Sequence, residues 1–429
     1  MREKETQTNR VKLSTESLNN RVFLWLLVFS IIIQFIRYLF NAIYTPVLDW
    51  SAQQLTMSYR YGFIRRGLLG TFTYLIHDCL HIEFVSAIGI VQNIGIILFT
   101  VSFLLFFRKL LNDNHEKSFC FIALILISLN LWGFNFNIFG QIETYIIFLT
   151  FVMVYLILSD KALILIPILA GICELIHEGY ASLYFGIIVA LLIYKFCYSA
   201  DRKSKIKYAA VFFLTGVVVS GLFFYFYFIH PRIDNPDTEA ILANCQELLK
   251  VNYSDPVDTS SIRYVWLEDK IYPDSFHGRM VMWIGGKPTN MFYEFILVPI
   301  INSVILSPLI YMTVKFWFKI IKNESHKGRK VLLILSSLMV FLIVPLIVTH
   351  VDQARWFYAI VIYEVVVIGS IFLLNANNER SVLSEITKIT LPKLILLAFY
   401  CFFYWNTTLF FITDYSKTIL NWILKLILL

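Results

Sequence analysis

Charge is what this chain has little of. Asp, Glu, Lys and Arg make up 15% of its 429 residues, against 58% hydrophobic ones, and the mean hydropathy is +0.70. A soluble globule carries roughly a quarter charged residues, so that class is excluded. Also missing are the glycine-rich loops that cradle nucleotide phosphates, a zinc-ligand spacing, a serine nucleophile elbow and any internal repeat. Nucleotide-driven transport therefore has no support in the sequence. The six cysteines are scattered. Four lie in or beside apolar runs, and only Cys79 and Cys245 fall on one side of the expected membrane, with nothing to indicate a bridge. The first apolar run, 22–44, is too long for a signal core and has no small-residue cleavage site before its polar flank, so it is expected to stay as a span.

Apolar runs near twenty residues recur along the rest of the chain, the length that crosses a bilayer as a helix. The expectation is an all-α polytopic membrane protein with about 11 transmembrane helices. The net charge of +7 suggests nucleic acid only until its placement is considered. It is concentrated in short loops, where it reports topology. Residues 1–21 carry Arg2, Lys4, Arg10, Lys12 and Arg21, which predicts a cytoplasmic amino terminus. Then come a first span (22–44), a first outer loop with interfacial amphipathic helices (45–83), spans two to seven (84–229), a long outer loop or lid (230–291) and C-terminal spans (292–429). The final stretch 419–429 is too short to cross at full thickness and is left open.

This topology depends on one choice. As a span, Gly62–Leu80 would bury Arg65, Arg66, His77 and Asp78 and would put Arg108, Lys109 and Lys117 outside. As an interfacial segment it leaves every lysine- and arginine-rich short loop on one side. The second reading places the acids, histidines and aromatics together on the outer face, and no cytoplasmic loop is built for more than anchoring.

The stretch Asp49–Gly70, DWSAQQLTMSYRYGFIRRGLLG, is the polar and basic exception in the first half. Arg60, Arg65 and Arg66 offer forked donors suited to phosphate, and Trp50, Tyr59 and Tyr61 suit a headgroup boundary. The blander reading is arginines snorkelling from an interfacial helix, with Asp49 only favouring a helix start beside the Ser51–Gln54 capping box. Further along, Glu174, His177 and Glu178 share a helix face at i, i+3, i+4. An ionisable group one turn inside a membrane is a functional candidate; a hydrogen-bonded turn between spans is the alternative. His350, Asp352 and Arg355 crowd one turn ahead of Trp356 and suit a pyrophosphate or acceptor sugar, or else a helix cap. Glu364 is a candidate structural partner for Arg37. Glu143 with Gln141 and Asp49 is a possible acidic site for a divalent cation, Mg or Mn. The long loop holds an amphipathic helix over 238–250 and a patch, 276–283, suited to a lid.

With Asp49 in a first outer loop bearing amphipathic helices, and further polar residues on later outer loops, the arrangement resembles the GT-C superfamily of polytopic membrane glycosyltransferases. The resemblance covers the architecture of most of the chain. Many members pair the first-loop acid with a second acid beside it; here Trp50 follows Asp49. The resemblance implies inverting transfer of a sugar from a polyprenyl-phosphate or polyprenyl-diphosphate donor to a glycan or lipid-linked acceptor, on the extracytoplasmic face of a bacterial cytoplasmic (inner) membrane. Asp49 would be the base, with His177 and Glu178 at the reacting sugar. Arg60, Tyr61, Arg65, Arg66, Glu174, His350, Asp352 and Arg355 would hold substrate. The partners implied are membrane lipids and the lipid-linked sugar, with no nucleic acid. A surface-polysaccharide polymerase and a lipid-linked oligosaccharide flippase or other secondary transporter are the alternatives. Product ladders would mark the first, and ionisable groups at the membrane midplane the second.

Overall fold

The computed structural model describes residues 49–112, 142–226, 238–249, 298–349 and 353–374. The expected first span 22–44, residues 113–141 of spans two to seven, residues 375–429 of the C-terminal spans, the patch 276–283, and Arg37, Gln141, His350 and Asp352 lie outside the described residues. Those described are helical, with no strand among them. In chain order the helices are α1 (Asp49–Thr56), α2 (Gly67–Leu80), α3 (Phe84–Asn112), α4 (Glu143–Ser159), α5 (Leu165–Ile176), the single turn α6 (Tyr180–Leu183), α7 (Phe185–Tyr198), α8 (Arg202–Phe224), α9 (Thr238–Leu249), α10 (Val298–Ile305), α11 (Ser307–Asn323), α12 (Lys327–Leu338), α13 (Val344–Thr349) and α14 (Gln353–Leu374).

Four segments are long and apolar enough to cross a membrane: Phe84–Leu110, Arg202–Phe224, Lys327–Ile347 and Trp356–Leu374. Their burial separates centre from rim. In α14, 83% of the apolar window is buried, against 17% for Lys327–Ile347. Along α7, Ile187, Ile188, Ala190, Leu191 and Leu192 are all buried, and the helix packs against α4, α8, α12 and α14. The outer helices α3, α8 and α12 instead expose Ile97, Leu105, Phe213, Val217 and Val331. Such faces are unstable in water and stable against lipid.

Three further apolar helices are shorter than these four. Helix α4 has 17 residues, α5 has 12 and α7 has 14. At about 1.5 Å per residue, α5 and α7 measure roughly 18 and 21 Å, short of a 30 Å hydrocarbon core. Within the region of spans two to seven, the helical stretch after Gly179 is broken at Tyr184, whose backbone leaves the helical region (φ −126°, ψ −15°). Helix α2 has 14 residues and starts from a left-handed Arg66 (φ 58°). Gly62–Leu80 is therefore not one straight membrane-length helix.

The bundle has two chemically distinct ends. At one, Asp160 accepts hydrogen bonds from Tyr208 Oη (2.5 Å) and Lys207 Nζ (3.0 Å), with Lys195 Nζ 3.5 Å away. Beside it Tyr198 Oη donates to Glu324 Oε2 (3.2 Å), and Arg329 pairs with Glu324 (3.2 Å). The turns after α4, α7 and α11 thus meet. At the far end of α8, the Phe226 carbonyl accepts from Arg65 Nε (3.1 Å). Tyr208 and Phe226 lie 18 residues apart, so Arg65 stands roughly 27 Å along α8 from Asp160, about one hydrocarbon thickness.

Near that far end the amphipathic helix expected over 238–250 forms as α9. Its Ile241, Leu242 and Cys245 make a small core with Met57 and Ile64. Cys245 Sγ donates to Thr56 Oγ1 (3.0 Å), and Asn244 Nδ2 donates to Tyr74 Oη (3.0 Å) and to Tyr61 Oη. A Cβ on Gly70 would overlap the Met57 carbonyl, so only glycine lets α2 cross the end of α1 this closely.

Candidate functional site

The site is built where the chain before α2 meets the α5–α6 link. Arg66 precedes α2 and projects a buried guanidinium toward Glu178. Nη2 donates to Oε1 (2.8 Å) and Nε to Oε2 (3.0 Å), a two-pronged ion pair closing 112 residues of chain. Arg65, 3% exposed, lies alongside and anchors to Phe226. The glycines of this stretch serve the chain itself: Gly62 adopts φ 102°, and a Cβ on Gly67 would strike the Tyr59 ring.

The α5 helix stops at Ile176, and His177 is extended (φ −159°, ψ 118°). The expected shared face of Glu174, His177 and Glu178 is therefore corrected: only Glu174 is on the helix. The cause is local. His177 Nδ1 accepts the Gly179 amide hydrogen (2.8 Å), turning the chain into α6. A neutral imidazole accepting at Nδ1 carries its proton on Nε2, and Nε2 lies 3.7 Å from Glu143 Oε1. Glu178 Oε2 is 3.6 Å from Nδ1. The ring thus sits between two carboxylates, one from α4 and one from its own turn.

Burial alone would push the Glu178 carboxyl up. The charge of Arg66 outweighs it, helped by the Arg66 hydrogen bonds and by the charge of Arg65, and holds Glu178 well below the usual carboxylate range. One turn back, Glu174 is 0% exposed, and neither carboxylate oxygen has a hydrogen-bond partner among the described residues. Glu143 is buried as well. Among the described residues, Arg65, Arg66, Glu143, Glu174, His177 and Glu178 are thus all buried in this part of the fold.

The structure brings together Arg65, Arg66, Glu174, His177 and Glu178 of the predicted set and adds Glu143, which the sequence marked only as a candidate metal ligand. Arg60 is not part of the group: it is exposed, pairs with Asp78 and lies over the Tyr74 ring (4.4 Å). Tyr61 belongs to the Tyr74–Asn244 contact that holds α9. Asp49 opens α1, and Arg355 lies in the first turn of α14. Glu364 is buried in α14. No group of three or more His, Cys, Asp or Glu among the described residues could hold a metal ion. Cys79, Cys173, Cys197 and Cys245 are free thiols. No signal short of the fold itself pairs Arg66 with Glu178, whereas Glu143 was visible as an acid opening an apolar helix.

Chemically, the group offers a forked cation with its counter-ion, an imidazole between two acids, and an acid inside an apolar bundle. No protein-family model, curated protein or solved structure matches the chain.

Proposed function

We propose that the chain is a membrane glycosyltransferase that takes a sugar from a polyprenyl-phosphate-linked donor on the face of the membrane where His177 lies, with the lysine-rich turns cytoplasmic. The observation that carries this reading is the buried Arg65, Arg66, Glu178, His177 and Glu143 group, about one bilayer thickness from those turns. An acceptor hydroxyl attacks the anomeric carbon, the bond from that carbon to the phosphate oxygen breaks, and the hydroxyl proton passes to Asp49. Arg65 and Arg66 stabilise the negative charge left on the lipid phosphate, and His177 Nε2–H donates to a sugar hydroxyl. The expected location is a bacterial cytoplasmic membrane, in a multi-pass chain of about 11 spans. The test is transfer from polyprenyl-phosphate sugars in membranes holding the wild type or Asp49→Asn. The substitution should lower the rate by about 100-fold or more. Full activity in the variant would remove Asp49 as base.

One observation favours a second reading, a cation- or proton-coupled flippase or transporter for lipid-linked sugar. Among the described residues the buried group gathers acids and an imidazole, the ionisable groups that mark proton and ion pathways within membranes. Proteoliposomes that move a lipid-linked sugar down an imposed pH gradient, and make no glycosidic bond, would favour it over transfer.

A further inference from the structure

We propose that Glu178 occupies the Arg66 fork in place of a phosphate, and that a phosphate-bearing ligand binds by exchange, displacing the Glu178 carboxylate from Arg66. This rests on the function proposed above and specifies how its site accepts the donor.

Four features point to exchange. The pair is two-pronged, through Nη2 (2.8 Å) and Nε (3.0 Å), and a guanidinium fork accepts carboxylate and phosphate oxygens with the same geometry. Glu178 sits in the three-residue link between α5 and α6, outside any helix, so its side chain can leave Arg66 without unwinding one. A second partner becomes available beside it: protonation of His177 at Nδ1, 3.6 Å from Oε2, releases the Gly179 amide and lets the ring receive the carboxylate. Arg65 adds positive charge at the same place, enough to contribute to holding Glu178 ionised. A diphosphate-linked donor, or the polyprenyl phosphate left after transfer, carries about two negative charges and gains more from these two guanidiniums than a monoanionic carboxylate does. The displaced Glu178 and Glu143 then flank the imidazole on its two nitrogens.

The test measures binding of inorganic diphosphate and of a short-chain polyprenyl phosphate to the purified full chain in detergent, by calorimetry and thermal shift. Glu178→Gln should bind both probes about tenfold or more tightly than wild type, and either probe should raise its midpoint more than that of wild type. Glu178→Asp keeps the charge on a chain one methylene shorter, and should fall between the two. Arg66→Lys should weaken binding about tenfold, because the charge remains and the fork is lost. If polyprenyl phosphate responds in this order and diphosphate does not bind, the ligand is a lipid headgroup; if both respond, free phosphate is also accepted. Wild type that binds while neither Glu178 variant binds more tightly overturns the exchange and leaves the proposed function standing. If Glu178→Gln does not fold, Glu178→Asp decides. No binding of either probe by any form overturns both.

Discussion

The two ends of the bundle use the same chemical groups to opposite effect. At the Asp160 end the carboxylate and Lys207 are each 42% exposed, and water and salt weaken their attraction. At the Arg66 end the partners are 9% and 4% exposed. There the pair has lost its hydration, and each partner depends on the other for its charge to be tolerated. An ion pair in the open end adjusts the surface; in the closed end it decides whether the structure around it holds. The exposed turns also lie on the lysine-rich side, where charge sets orientation, whereas the buried group has no role in topology that would explain the expense of burying it.

The largest expected effect comes from removing one partner at the closed end. Arg66→Ala should destabilise the folded chain by about 3–5 kcal/mol, read as a denaturant or thermal shift in detergent, because it leaves Glu178 buried without a counter-ion. Replacing both residues by methionine should cost far less than either single loss. Equal losses for the single and double variants would erase the distinction between the ends. Next is Gly70→Ala, which pushes a methyl into the Met57 carbonyl and should cost roughly 1–3 kcal/mol. By contrast Gly216→Ala, in α8 with open space at its Cβ, should be neutral or gain up to about 1 kcal/mol from helix propensity. The smallest effect is at the open end, where Asp160→Asn should cost about 1 kcal/mol or less.

Acid sharpens the same contrast. Burial nudges Asp160 upward, but hydrogen bonds from Tyr208 and Lys207 and the charges of Lys195 and Lys207 prevail and hold it below its ordinary 3.8. A carboxyl lowered in the folded state adds stability that is complete above its unfolded value and is lost as pH falls through the folded one. Glu178 obeys the same sign, with an ordinary value of 4.5. The stability these two carboxyls add should therefore be constant above these ordinary values and be lost below them, read as the difference between wild type and each variant as pH falls. The acid loss should be shallower in Asp160→Asn than in wild type, and shallower still in Glu178→Gln if that variant folds.

What the sequence makes legible follows from periodicity and local chemistry. Apolar runs mark α3, α8 and α14, and the polar breaks at Asp160 and at His177–Gly179 fall where the helices end. The amphipathic segment over 238–250 forms a helix over Thr238–Leu249. Partners are another matter. Helical periodicity says which face of α5 is apolar, but it carries no information that Glu178 meets Arg66, or that Glu143 comes within 3.7 Å of His177. The three-residue spacing that put Glu174 and His177 on one face assumes the helix continues, and a single bond from the Gly179 amide to Nδ1 ends it. Nor does the sequence show that Gly70 is required by the Met57 carbonyl, which lies where its Cβ would be. Arg60 and Tyr61, both counted among the substrate-holding residues, turn instead to α2 and α9.

The Arg66–Glu178 contact also sets an order of events during synthesis. Arg66 leaves the ribosome 112 residues before its counter-ion, which at about 5–20 residues per second is a delay of roughly 6–22 s. Through that interval the Arg66–Glu178 pair cannot form. The segment carrying it can seat only after α3, α4 and α5 have been made and the link beyond α5 has arrived, so the earliest described part of the chain is among the last to lock.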